Sequence, residues 1–121
     1  METTFRIRFT KMPWQQQLGN MASTLARIAN HAAIPEHNET VQMCLREAAC
    51  FIEWSAPQTP PEFLLELAAM QRELLAWHRD WPVEAARPLL ALHARHQSDR
   101  VLQMAGFYPR NPLTQSQEVS S

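Results

Sequence analysis

The sequence is short of the residues that build tight turns, fields and cross-links. It holds two glycines, Gly19 and Gly106, against nine prolines. So few glycines leave little room for β-hairpins or a phosphate-cradling loop, both of which need backbone that only glycine tolerates well. Net charge is −1, which provides no global field to gather nucleic acid or anionic lipid. Lysine is nearly absent, with Lys11 the only one beside ten arginines. The two cysteines, Cys44 and Cys50, fall six apart on one expected helix, where their side chains diverge and cannot pair. Two thiols of this kind suit a reducing compartment. Nothing approaches the roughly 20 consecutive apolar residues of a membrane span, and no signal-peptide-like run opens the chain. The expectation is a cytoplasmic protein of one domain, 121 residues long, with no membrane span and no nucleic-acid partner.

What is present is helix-forming: long stretches of Ala, Leu, Gln, Glu and Arg. Thr59–Trp81 is the broadest apolar stretch. Thr59 reads as an N-cap, Pro60 as a first-turn residue and Glu62 as a capping-box acid. Phe63, Leu67, Met70, Leu74, Trp77 and Trp81 then recur at spacings of four and three, on one helix face. Leu64, Ala68 and Leu75 widen that arc, which marks this helix as the spine of a bundle.

Three further helices share the spacing. Pro13 to about Ala33 carries Trp14, Leu18, Met21, Leu25, Ile28 and Ala32, flanked by a strip of small residues through Gly19, Ala22 and Ala26 that permits close approach of a neighbour. Residues from about Asn38 to Ser55 carry Val41, Leu45, Ala48 and Ile52. Met43, Cys50 and Trp54 lie on nearly the opposite face. That second apolar face is either covered by a terminal segment or exposed as a binding patch. The last helix, about Pro88 to Ala105, carries Leu90, Ala94, Val101 and Met104, with polar Gln97 in the seam and Gly106 placed as its C′ glycine.

Thr4–Thr10, TFRIRFT, alternates Phe5, Ile7 and Phe9 with Arg6 and Arg8, a period-two pattern that predicts an extended segment. No second stretch reads as its strand partner. It is therefore expected to strap the bundle, to pair with its copy in a homodimer, or to join another protein's sheet. The expected architecture is all-α: residues 1–12 an extended N-terminal arm, 13–108 an up-down-up-down four-helix bundle, and 109–121 a disordered polar, proline-punctuated tail.

Catalytic constellations are missing from this pattern, so the chain is expected to be no enzyme and to need no cofactor. His93 and His96 sit three apart on one helix and could approach a metal or tetrapyrrole iron with help from His78, Asp80 or His31. No Glu-x-x-His motif accompanies them, and helix-boundary packing explains both. The remaining candidates are interaction residues: Phe5, Arg6, Ile7, Arg8 and Phe9 on the arm, with Met43 and Trp54 on the second helix.

Three phrases, FIEWSAP (Phe51–Pro57), LAAMQRELLAW (Leu67–Trp77) and SDRVLQMAG (Ser98–Gly106), resemble a group of small helical proteins of cyanobacteria for which no activity is established. The resemblance spans roughly residues 51–106. It implies a cytoplasmic or thylakoid-adjacent setting and an accessory role near photosynthesis. It assigns no residue a role.

Overall fold

The computed structural model describes residues 2–107. Five α-helices account for most of them: α1 (Glu2–Lys11), α2 (Trp14–His31), α3 (Asn38–Ser55), α4 (Leu64–Asp80) and α5 (Arg87–Ala105). Short 3-10 turns at Pro35–His37, Ala56–Gln58, Pro61–Phe63 and Glu84–Ala86 fill the links. No strand occurs among the described residues, and no helix there is long and apolar enough to cross a membrane. The expected tail, 109–121, lies outside the described residues.

The helix ends follow local chemistry. Pro13 stands before α2 at φ −55°, ψ 147°, and its carbonyl accepts the first helical bond from Gln17 N. Ile34, ahead of Pro35, is driven out of helical geometry to φ −104°, ψ 108°. At the far end, Gly106 takes φ 85°, Gly106 N donates to Gln103 O and Phe107 N donates to Leu102 O. That pair of bonds is a Schellman closure, and the left-handed backbone it needs is open to glycine.

Hydrogen bonds between helices show how the elements run. Gln42 Nε2 reaches His78 O and Gln71 Nε2 reaches Ala49 O, so α3 and α4 are antiparallel. Ser98 Oγ donates to Ala22 O and Arg95 Nη2 to Asn30 Oδ1, which makes α2 and α5 antiparallel as well. The predicted seams form the core. Leu18, Met21, Leu25 and Ile28 of α2 are all 0% exposed. Around them lie Val41, Leu45 and Ile52 of α3, Leu67 and Leu74 of α4, and Leu90 and Val101 of α5.

The centre is α2 together with α3, not the stretch read as the spine. α2 packs closely on both α3 and α5, whereas α4 packs closely on α3 alone. Small residues explain this: Ala22 faces Ser98, and with no bulk between them the Ser98 hydroxyl bonds straight to the α2 backbone at 2.8 Å. α4 and α5 stay further apart, joined by long polar side chains. Only Leu67, Met70 and Leu74 of α4 are buried, and Leu75, expected to widen its arc, is 47% exposed. Thr59 does not cap α4 either. Its Oγ1 turns back to Ser55 O at 2.8 Å, closing the end of α3, and a 3-10 turn then carries the chain to Leu64.

The N-terminal segment is a helix rather than an extended arm. In a helix, residues four apart share a face just as they do in a strand, so Phe5 and Phe9 stay together while Ile7 is turned away. Phe9 is 0% exposed and Ile7 is 50% exposed. Aromatic contact with α3 selects the helix, because ten residues alone form a marginal helix in water.

Candidate interaction surface

Helix α1 lies against the face of α3 opposite its core seam, held by rings and by one buried amide. The Phe9 ring stacks on Phe51 at 4.6 Å between centroids and meets Trp54 edge-on at 5.8 Å. Phe5, one turn earlier, stacks on the same Phe51 at 5.9 Å. Gln17, fully buried on α2, shares the two protons of its Nε2 among Phe9 O, Met12 O and Gln58 Oε1, while Gln58 Nε2 donates to Thr10 O at 2.8 Å. The last carbonyls of α1, which have no partner within their own helix, are thereby satisfied by α2 and by the link after α3.

Beside this contact runs an open groove of about 630 Å³. Phe5 and Arg8 line it from α1, and Met43, Arg46, Cys50 and Trp54 from α3, over a floor that includes Phe51. Most of its lining is apolar side chain. Met43 is 70% exposed, the most solvent-exposed apolar residue on α3, and Phe5 is 41% exposed. Trp54 is covered instead of presented: Phe5 leans on its ring, and the Arg6 guanidinium sits 5.7 Å above it. Of the two alternatives for this face, Trp54 follows the covered one, at 9% exposure with α1 as its cover, while Met43 stays open.

The charges around the groove are unevenly matched. Glu47 is its one lining carboxylate, and it is engaged by α2: Thr24 Oγ1 donates to it at 3.1 Å, and Arg27 lies 3.7 Å away. Arg8 stacks over Phe5 at 6.0 Å. Among the described residues, none of Arg6, Arg8 and Arg46 has a carboxylate within ion-pair distance. Elsewhere on α3, burial pushes the Cys44 thiol above its ordinary value. Arg27 pulls it back and Glu47 adds to the rise. Cys44 and Cys50 form no disulfide with each other, as their spacing requires.

Of the seven interaction candidates, Phe5, Arg8, Met43 and Trp54 meet in this groove, and Arg6 stands at its edge. Phe9 is consumed by packing, and Ile7 points away. The histidines are dispersed into structural roles. His93 Nε2 pairs with Glu73 at 2.6 Å, and Gln97 Nε2 donates to the same carboxylate, tying α5 to α4. His96 is exposed, and His78 offers its backbone carbonyl to Gln42. No three His, Cys, Asp or Glu side chains among the described residues are arranged to hold a metal ion. A separate pair joins the end of α2 to the next turn, with His31 Nδ1 and His37 Nδ1 2.8 Å apart, one imidazole donating and the other accepting.

Two anchors escaped the sequence reading. Gln17 occupies a core-facing position of α2, and a polar residue beside Leu18 was the available signal. Arg87, 5% exposed, has no such signal, since a charged residue next to a proline reads as surface. It ties the α2–α3 link to the α4–α5 link, donating to Ala32 O, Asn38 Oδ1 and Glu84 Oε2 and lying 5.2 Å over the Trp81 ring. No family model, curated protein or solved structure matches the chain, so no residue takes a role by similarity.

Proposed function

We propose that the chain is a non-enzymatic interaction module, an up-down-up-down four-helix bundle that presents a docking groove between α1 and α3. One observation carries this reading: exposed Met43 and Phe5 border an apolar groove whose arginines have no carboxylate partner among the described side chains. Exposed apolar groups gathered in one depression gain free energy when a partner excludes water from them. Met and Arg suit such a role, the first by adapting its shape and the second by remaining charged at an apolar border.

The test is a photo-reactive amino acid placed at position 43 of the full chain and irradiated in the source cells. A discrete adduct from position 43 is expected, and it should vanish when Phe5→Asp is added. The same probe at Leu65, which is 83% exposed on α4 away from the groove, is the control. Equal adducts from both positions, unaffected by Phe5→Asp, would contradict the proposal.

A further inference from the structure

We infer that the occupant of the α1–α3 groove is an amphipathic helix whose apolar stripe is flanked by carboxylates. This rests on the docking reading above and specifies the partner's chemistry. The walls decide its secondary structure. Both are α-helices, whose backbone donors and acceptors are consumed within their own turns. An extended peptide would find no sheet edge to pair with, so its backbone would lose water without replacement. A helix carries its own backbone bonds into the groove and needs only side-chain contact. From Met43 to Trp54 the α3 wall runs for roughly 16 Å at a rise of about 1.5 Å per residue. That length accommodates about three turns of partner helix, with anchors at i, i+3 or i+4, and i+7.

Charge decides the flanks. The groove lining presents Arg8 and Arg46, with Arg6 above Trp54, and its one carboxylate is turned to Thr24 and Arg27. Glu39 and Glu53, each seven residues from Arg46 on α3, place one acid toward either end of this wall without lining the groove. A cationic border over apolar ground favours carboxylates beside the partner's apolar stripe and disfavours lysines there. The chain's own last segment, YPRNPLTQSQEVSS, has one acid, one arginine and two prolines, which does not match that chemistry.

The experiment uses the full chain and three synthetic helical peptides, followed by fluorescence anisotropy. One carries Leu and Phe at the anchor positions with glutamates on both flanks. The second replaces those glutamates with lysines, and the third scrambles the anchors while keeping the glutamates. The glutamate peptide is expected to bind at least about tenfold tighter than the lysine peptide at low salt, with the gap closing in high salt. The scrambled peptide should bind weakly. Arg8→Glu combined with Arg46→Glu should reverse the preference while circular dichroism stays unchanged. Arg46→Gln, a milder change, should only reduce it.

Equal binding of both anchored peptides, lost with Phe5→Asp, would overturn the acidic partner yet leave the docking groove standing. No binding of any peptide, despite a position-43 adduct in cells, would overturn the helical partner alone. Self-association in ultracentrifugation that Phe5→Asp abolishes, with no peptide able to displace it, would assign the groove to a second copy and overturn the inference.

Discussion

The α2–α5 seam and the α1–α3 contact both join two helices, and they differ in what is left over once the helices have met. At the seam, Ala22 and Ser98 bring the backbones close enough for a direct hydroxyl-to-carbonyl bond, and neighbouring Leu25 and Ile28 are wholly buried. What remains open beside it, a depression at the start of α2 and the end of α5, is lined largely by Gln15, Gln16, Asn20 and Ser23, with Phe107 its one exposed aromatic ring. At α1–α3, stacked Phe9, Phe51 and Trp54 complete one half of the contact, while Phe5 and Met43 keep 41% and 70% of their surface in water. Large flat rings hold the helices together without closing the space beside them. The difference teaches where folding energy has been used up and where surface remains available for binding.

Substitutions can separate the two regions. The largest expected effect is at the seam's core: Leu25→Ala should cost about 2–5 kcal/mol in urea melts, as other buried leucine truncations do. A cost near zero would mean that α2 is not at the centre of the fold. Arg87→Met should cost about 1–3 kcal/mol, because it strands the buried Ala32 carbonyl and takes the partner of half-buried Asn38. Thermal melts would check this, and an unchanged midpoint would show those groups resolvated.

An effect of pH comes from elsewhere on α3. The Cys44 thiol is raised in the folded protein, first by burial, so the fold retains its proton where the unfolded chain has lost it. That contribution to stability is present in full below the ordinary thiol value of 9.0 and declines as pH rises past it. Melts between neutral and alkaline pH should therefore show a decline that Cys44→Ala reduces. An identical decline in the variant would assign it to other groups. The smallest effect belongs to the groove itself: Met43→Ala should change stability by no more than about 0.5 kcal/mol, as surface changes do, while weakening partner capture. A large destabilisation would move Met43 to the folding side of the comparison.

Much of the fold was legible because helical spacing leaves a repeated signature. The seams through Leu18–Ile28, Val41–Ile52 and Leu90–Met104 are the ones found buried, and Gly106 closes α5 in the left-handed conformation expected of it. The small-residue strip on α2 announced a close neighbour, which is α5. Two readings failed for physical reasons. TFRIRFT alternates, but Phe5 and Phe9 satisfy helix and strand periods equally, and only the rings on α3 decide between them. The breadth of the α4 arc suggested a spine, yet apolar count says nothing about how near a neighbour can come. Leu75 stays 47% exposed because α4 packs closely on α3 alone.

The candidate groove was half legible. Met43 and the aromatic–arginine segment were visible as unclaimed apolar groups, but where they meet is set by Gln17, which pins the end of α1 from the start of α2. A polar side chain reaching two carbonyls at a distance of several residues leaves no periodic trace.

The central claim is that the α1–α3 groove, and not the bundle's other faces, receives a partner. Amide chemical-shift mapping tests it most directly, by titrating the glutamate-flanked peptide into the isotope-labelled full chain. Shifts confined to residues 5–8 and 43–54, with α5 and the outer face of α4 unmoved, are the expected result. Shifts centred on Leu65, Leu75, Leu89 and Leu92, the exposed leucines of α4 and α5, would contradict it.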